Sequence, residues 1–176
     1  MGRLILITGG ARSGKSRLAE EIADRAGGDE VTYIATCQPA DEEMVERVAK
    51  HRAARPAAWR TIEEPLRLAD AVRRCDTGAA LIDCLTLYVT NVLFSEDEDQ
   101  ERAERVVNDE LLRLVDAVAE TGKIVIVVTN EVGMGIVPAT PLGRAFRDIA
   151  GRAGQELARH ADEAYMAVLG IPIKLK

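Results

Sequence analysis

The segment GGARSGKS, residues 9–16, follows the apolar run LILIT at residues 4–8. It matches the pattern G-x-x-x-x-G-K-[ST] of a loop that binds phosphate groups through its backbone N–H groups. Such a loop needs a buried strand before it and a helix after it. The short apolar run is typical of a strand covered on both faces, and Leu18, Ile22 and Ala26 recur at helical spacing. The segment therefore predicts an α/β fold built around a phosphate site.

The residue types in this loop suit a nucleoside triphosphate. Glycines allow unusual backbone dihedrals, and the N-terminus of the following helix adds positive partial charge. Lys15 can reach the β and γ phosphates, and the Ser16 hydroxyl can bind Mg²⁺. We predict Lys15 as catalytic, Ser16 as a metal ligand and the whole loop as nucleotide-binding: Gly9, Gly10, Ala11, Arg12, Ser13, Gly14, Lys15 and Ser16.

Strand and helix patterns alternate along the rest of the chain. Strands are predicted at residues 31–37, 79–85 and 123–133, and helices at 15–26, 41–52, 66–74, 104–121 and 142–160. The apolar run 85–94 predicts a buried helix, the acidic run 95–101 a solvated loop, and the last residues one or two strands. We predict one P-loop NTPase (RecA-like) domain over residues 1–176, with a largely parallel sheet flanked by helices and a C-terminal strand or hairpin.

Composition excludes some partners. Lys and Arg number 23 against 29 Asp and Glu, for a net charge of −6. A nucleic-acid backbone is therefore not expected as the main partner, because the positive surplus that neutralises phosphates is missing. No run approaches the ~20 apolar residues that span a bilayer. The three widely spaced cysteines favour reduced thiols, and we expect a cytoplasmic protein.

Asp83 follows four apolar residues near the end of a predicted strand. Phosphate-loop proteins place an acid at such a position to bind Mg²⁺, directly or through water. An aspartate there can instead cap the following turn. Both interpretations stay open from the sequence.

The segment HRAARPAAWRTIEEP, residues 51–65, surrounds one of the two histidines with arginines. His51 lies seven residues after Met44 and three after Val48, on the helix face expected to point inward. A neutral imidazole beside guanidinium groups is suited to attack phosphorus, since the cations hold the phosphate oxygens while nitrogen approaches. A polar surface histidine is the alternative. The other histidine, His160, has the place of a cation at a helix C-terminus.

Several further motifs resemble one family. They are YIAT with Gln38 nearby, DEEM leading into HR-x-x-RP-x-x-W-x-T-x-E, TNEVGMGIVP followed by FRDIAGR, and the terminal IKLK. With GGARSGKS, they are similar to the bifunctional adenosylcobinamide kinase and adenosylcobinamide-phosphate guanylyltransferase of cobalamin biosynthesis. The similarity runs from Leu4 to the end of the chain.

The resemblance implies two reactions: ATP or GTP phosphorylates adenosylcobinamide, and GTP then forms a guanylyl-histidine that passes GMP to adenosylcobinamide phosphate. His51 matches the nucleophile. The residues that match the nucleotide contacts are Ala35, Thr36, Cys37, Arg52, Ala53, Ala54, Arg55, Glu63 and Asp83. For Glu63, an ordinary surface acid is the alternative. The resemblance also implies a homotrimer.

The segment TNEVGMGIVP follows the most apolar predicted strand, where parallel sheets bind ligands. Asn130 and Glu131 present polar groups there, and Val132, Met134, Ile136 and Val137 form an apolar surface. A substrate loop and a subunit-contact loop remain the two interpretations. Two functions besides the bifunctional enzyme also stay open: a single-function P-loop small-molecule kinase and a nucleotide-dependent switch or ATPase.

Overall fold

Strands and helices alternate along the chain, as the sequence predicts. The computed structural model describes residues 2–39, 42–53 and 55–176. The strands in these ranges are β1 (Arg3–Gly9), β2 (Val31–Ala35), β3 (Arg60–Glu63), β4 (Ala79–Asp83), β5 (Ile124–Val128), β6 (Glu163–Val168) and β7 (Ile171–Lys174). The helices are α1 (Lys15–Gly27), α2 (Glu42–Ala53), α3 (Leu68–Arg74), α4 (Leu85–Ser95), α5 (Gln100–Thr121) and α6 (Pro141–His160).

The described strands form one sheet in the order β3-β2-β4-β5-β1-β6-β7. Among the described strands, only β6 and β7 pair in antiparallel orientation, and the other neighbouring strands pair in parallel. The predicted α/β class with a C-terminal hairpin is confirmed. Because parallel strands end at the same edge, the loops that follow β1, β2, β4 and β5 meet along the carboxyl edge of the sheet.

The two faces of β1 bury alternate residues, so helices cover the sheet on both sides. Ile5 and Ile7 share a core cluster with Ala19 and Ala23 of α1. The opposite face belongs to a larger cluster that includes Leu4, Leu6 and residues of α3, α4, α5 and α6. This alternation is the period-2 pattern of a strand. The apolar run predicted as a buried helix is α4, whose inward residues are buried.

The acidic segment at residues 95–101 is only in part the solvated loop that the sequence predicts. Ser95 is the last residue of α4, and Gln100 and Glu101 begin α5. Asp99 caps that helix, since its side chain accepts a hydrogen bond from the Arg102 N–H at 2.9 Å. The helix dipole favours acidic residues at the start of α5. Because α5 begins at Gln100, the loop between α4 and α5 is only residues 96–99.

Strand β3 is absent from the sequence prediction. It pairs in parallel with β2, and Glu63 lies opposite Ala35. The strand is four residues long and lies at the edge of the sheet. Its pattern is too short and too polar to stand out from a loop. Its effect on the site is direct, because it brings Glu63 to the carboxyl edge.

Two glycines of the phosphate loop, Gly14 and Gly10, differ in backbone conformation and in the space for a side chain. Gly14 has φ of 92°, and a Cβ there would lie 3.0 Å from Gly170 Cα in the β6–β7 turn. A Cβ at Gly10 would meet no heavy atom within 4 Å, and its φ is not in the left-handed region. Gly10 therefore adopts no backbone conformation in this structure that requires glycine.

We expect Gly14→Ala to lower the free energy of unfolding by about 1–3 kcal/mol, because alanine is strained at positive φ and crowds Gly170. Gly10→Ala is the matched control and should change it by less than about 0.5 kcal/mol. Urea denaturation of the nucleotide-free variants measures both. Equal losses would contradict the assignment of strain to Gly14.

All three cysteines lie in the described ranges: Cys75 and Cys84 are free and buried, and Cys37 is half-buried. No helix among the described residues combines the length and the apolarity needed to cross a membrane.

Candidate active site

The loop between β1 and α1 folds back on its own backbone. Gly14 precedes the first helical residue, Lys15, so the N-terminus of α1 opens toward the loop. The Lys15 Nζ donates to the Gly10 carbonyl oxygen at 3.1 Å, and the Ser13 N–H donates to the same oxygen at 3.3 Å. The ammonium group is thus held over the loop. A phosphate bound here meets both this cation and the free N–H groups that begin the helix.

A cleft of about 610 Å³ opens along the carboxyl edge of the sheet, next to this loop. The loop, the strand ends, α2, α4 and α6 all contribute side chains to its wall. Its lining includes Ala11, Lys15, Ser16, Tyr33, Ala35, Cys37, Met44, Val48, His51, Arg55, Glu63, Asp83, Cys84, Thr86, Leu87, Asn130, Glu131, Val132 and Phe146.

Helix α2 presents His51 to the same cleft as the phosphate loop. Met44, Val48 and His51 all line the cleft, because positions three and four residues apart share one side of a helix. The face that the sequence predicts to point inward is therefore the face that lines the cleft. No described side chain of α2 is fully buried, and His51 is exposed. Its imidazole is consequently accessible to a ligand in the cleft.

Asp83 ends β4 and is held by Tyr33 of β2. The Tyr33 hydroxyl donates to Asp83 Oδ2 at 2.8 Å. Burial and the negative charge of Asp83 raise the pKa of Tyr33, so the phenol keeps its proton and the carboxylate is the acceptor. This hydrogen bond fixes Oδ2, and among the described residues it leaves Oδ1 available to a ligand.

Arg55 covers the same tyrosine. Its Cζ lies 3.1 Å from the centroid of the Tyr33 ring, a cation–π arrangement. The Arg55 Nε is buried without a hydrogen-bond partner among the described residues. Glu20 of α1 belongs to the same electrostatic cluster: burial raises the pKa of its carboxyl, Arg55 opposes that shift and Asp83 adds to it. The cluster links the segment after α2 to the carboxyl end of β4.

We expect Tyr33→Phe to lower the free energy of unfolding by about 1–2 kcal/mol, because a half-buried carboxylate loses a hydrogen-bond donor. Tyr165→Phe is the matched control, since the Tyr165 hydroxyl donates to Glu163, whose carboxylate also pairs with Arg3 and Lys174. Its loss should stay below about 1 kcal/mol. Urea denaturation compares the two variants, and a larger loss for Tyr165→Phe would contradict the role given to Tyr33.

The CobU family model, described as cobinamide kinase / cobinamide phosphate guanyltransferase, matches residues 5–175. The chain belongs to this family.

Curated relatives align with nearly the whole length of this CobU family member. The bifunctional adenosylcobalamin biosynthesis protein CobU of Salmonella typhimurium is 46% identical, over 98% of this chain and 99% of the relative. The CobU protein of Escherichia coli is 44% identical over the same shares. The bifunctional protein CobP of Pseudomonas aeruginosa is 45% identical, over 97% of this chain and 96% of the relative.

The fold is also found among solved structures. An ATPase domain aligns with 93% of this chain and 68% of its own, at a TM-score of 0.52 and 13% identity. A likeness at this identity concerns the fold alone. It agrees with the P-loop, RecA-like class predicted from the sequence of this CobU family member.

The structure brings about half of the predicted site residues of this CobU family chain to the cleft wall. They are Ala11, Lys15, Ser16, Ala35, Cys37, His51, Arg55, Glu63 and Asp83. The other described ones lie outside that wall: Gly9, Gly10, Arg12, Ser13, Gly14, Thr36, Arg52 and Ala53. Ala54 lies outside the described residues. Nucleotide contacts by the residues of the second group stay predictions.

Thr36 has a structural role within the protein. It is fully buried. Its hydroxyl donates to the Cys84 carbonyl oxygen at 2.8 Å and accepts from the Cys84 N–H at 2.7 Å. Thr36 therefore fixes the backbone that follows Asp83, and its side chain is not free to contact a nucleotide in this structure.

Sequence reasoning missed Tyr33, Leu87 and Phe146 as cleft residues of the family member. Tyr33 belongs to a strand buried on both faces, so its pattern gives no signal of a site. Asn130 and Glu131 were predicted only as polar groups of the loop after β5. Asn130 Nδ2 donates to Thr86 Oγ1 at 2.7 Å, which ties that loop to the start of α4.

Mg²⁺ fits the oxygen atoms that face the cleft. No group of three or more His, Cys, Asp or Glu suited to a metal ion occurs among the described residues. Mg²⁺ in nucleotide sites is commonly held by one or two protein oxygens, the phosphates and water. Ser16 and Asp83 supply such oxygens in one cleft. Oδ1 of Asp83 is the oxygen that Tyr33 leaves unengaged.

Proposed function

We propose that this chain is a bifunctional kinase and guanylyltransferase of cobalamin biosynthesis. It phosphorylates the aminopropanol hydroxyl of adenosylcobinamide with ATP or GTP and then transfers GMP from GTP to give adenosylcobinamide-GDP. Family membership supports the pair of reactions. The observation that carries the proposal is that His51 and the phosphate-loop residues Lys15 and Ser16 line one cleft.

The guanylyl transfer takes place in two displacements. A ring nitrogen of His51 bonds to the α phosphorus of GTP, the bond from that phosphorus to the β-phosphate oxygen breaks, and pyrophosphate leaves with the electron pair. A phosphate oxygen of adenosylcobinamide phosphate then bonds to the same phosphorus, and the P–N bond to His51 breaks. The imidazole is restored for the next cycle.

The phosphate loop binds and orients the triphosphate in both reactions. Lys15 and the N–H groups at the start of α1 meet the phosphate oxygens, and this positioning accounts for most of the catalysis in phosphoryl transfer. Arg55 lines the same cleft as His51 and adds a positive charge. A planar guanidinium group binds phosphate oxygens in a defined geometry, so Arg55 aligns the nucleotide for attack by His51.

Ser16 and Asp83 would hold Mg²⁺, Asp83 through Oδ1 or through water. Bound Mg²⁺ supplies charge neutralisation on the phosphate oxygens. The hydrogen bond from Tyr33 keeps the Asp83 carboxylate in one orientation for this purpose.

We also propose a cytoplasmic homotrimer in which each chain is one domain. The free thiols of Cys75 and Cys84 support a reducing compartment. Two segments with exposed apolar side chains support assembly: Met134 and Ile136 after β5 are 79% and 96% exposed, and Leu169 in the β6–β7 turn is 90% exposed. Sedimentation equilibrium of the full chain measures the number of copies.

The function is tested by incubating the full chain with adenosylcobinamide, ATP, GTP and Mg²⁺ and identifying the corrinoid products by mass. The phosphorylated corrinoid and then the GDP-linked corrinoid are expected. GTP labelled at the α phosphorus should also label the protein with a bond that is stable in base and labile in acid. GTP labelled at the γ phosphorus is the matched control and should leave no label, because pyrophosphate departs.

The same experiment separates the alternatives. A phosphorylated corrinoid without any protein label identifies a single-function kinase. Nucleotide hydrolysis without a corrinoid product identifies a switch or an ATPase. Either result would overturn the proposed bifunctional enzyme.

A further inference from the structure

The chain that leaves β5 lies between the two parts of the candidate site. Strand β5 is the neighbour of both β1 and β4, and Val128 is in register with Ile7 of β1 and with Asp83 of β4. The phosphate loop follows β1, and Asp83 ends β4. The residues directly after β5 are therefore placed between the phosphate loop and Asp83.

Glu131 is fixed at this place by its backbone and by its side chain. Its N–H donates to the carbonyl oxygen of Gly9, the first residue of the loop motif, at 3.0 Å. Its carboxylate lines the cleft, and Oε1 accepts the Gly133 N–H at 2.6 Å. Oε2 does not take part in this hydrogen bond, and within the described part of the chain it remains available to a ligand.

The sheet order distinguishes Glu131 from the other carboxylates in the cleft wall. Glu63 ends β3 at the far edge of the sheet, four strands from β1. Asp83 is two strands from β1 and already accepts from Tyr33. Glu131 follows the strand next to β1. Among the described cleft carboxylates it is thus the one nearest in the sheet to Lys15, where the terminal phosphate of a bound nucleotide lies.

We infer that Glu131 is the general base of the phosphorylation reaction, an inference that rests on the proposed kinase function. Its carboxylate takes the proton of the acceptor hydroxyl. The hydroxyl oxygen then bonds to the γ phosphorus, the bond from that phosphorus to the β-phosphate oxygen breaks, and the nucleoside diphosphate leaves with the electron pair. The proton passes from Glu131 to solvent. The two reactions of the site then use different residues, Glu131 for phosphorylation and His51 for guanylylation.

The test is Glu131→Gln in the full chain, assayed for both reactions. Glutamine keeps an oxygen that accepts the Gly133 N–H, so the turn is retained while the basic group is lost. The kcat of adenosylcobinamide phosphorylation should fall by about 10²- to 10⁴-fold with its KM unchanged. Covalent labelling by α-labelled GTP should stay at the wild-type level. Glu30→Gln is the control, since Glu30 is exposed and precedes β2 at the opposite edge of the sheet.

Three results would overturn the inference. Unchanged phosphorylation in Glu131→Gln removes the base role and leaves the proposed function intact. Equal loss of phosphorylation and labelling shows that Glu131 binds nucleotide or metal instead. A wild-type protein that is labelled but never phosphorylates the corrinoid refutes the kinase half of the proposed function, and the inference with it.

Discussion

His51→Ala protein is expected to carry no covalent label after incubation with α-labelled GTP and Mg²⁺. Removal of a nucleophile eliminates the intermediate, so GMP transfer should fall by at least about 10⁴-fold. Phosphorylation of adenosylcobinamide should stay within a few-fold of wild type, because the imidazole has no part in moving the γ phosphate. His51 is exposed, so the substitution should not disturb the core. Gel autoradiography measures the label, and product analysis measures the two turnovers.

The second histidine gives this experiment its matched control. His160 is the last residue of α6, and its Nε2 lies 3.2 Å from Glu156 Oε1. It is outside the wall of the cleft. His160→Ala should therefore keep full labelling. A label that persists in His51→Ala, or equal loss of both reactions in a folded variant, would contradict the nucleophilic role.

The phosphate loop and its setting were predictable because each signal is local. The motif, the apolar run before it and the helical period after it all lie within about one βα unit of sequence. The position of Asp83 followed from the same reasoning, since a polar residue after a buried run falls at the edge of a parallel sheet. The predicted inward face of α2 likewise depends only on residues three and four apart.

The cluster around Asp83 was not predictable, because its contacts join distant segments. Tyr33 and Asp83 are 50 residues apart, and only the pairing of β2 with β4 brings them together. Glu63 reaches the cleft through β3, a strand too short and polar to be recognised. Trp59 shows that a residue within a site-like segment can belong to the core instead. It lies in the histidine-containing segment, yet it is buried in the core, where its Nε1 donates to the Gly28 carbonyl oxygen at 2.9 Å.

Lys15→Ala is expected to weaken both reactions together. Lys15 and Arg55 are the lysine and arginine side chains in the cleft wall among the described residues. A charge-assisted hydrogen bond to phosphate contributes about 1.5–3 kcal/mol, so GTP affinity should fall by roughly 10- to 150-fold. Loss of the cation in the transition state should lower each turnover by about 10²-fold or more. Equilibrium titration with GTP measures binding, and the two product assays measure turnover.

Arg25→Ala controls for the loss of one positive charge from the same helix. Arg25 is exposed in the last turn of α1, and its Nε donates to the Glu21 carbonyl oxygen at 3.1 Å. The Arg25→Ala variant should bind GTP with wild-type affinity. Full GTP binding by Lys15→Ala would contradict the loop's role. Loss of one reaction alone would assign Lys15 to that step, because a residue that cradles the triphosphate must serve every reaction that consumes it. We therefore expect Lys15→Ala, which removes a phosphate-binding residue, to lose both reactions. Substitution of His51 or of Glu131 should affect one reaction each.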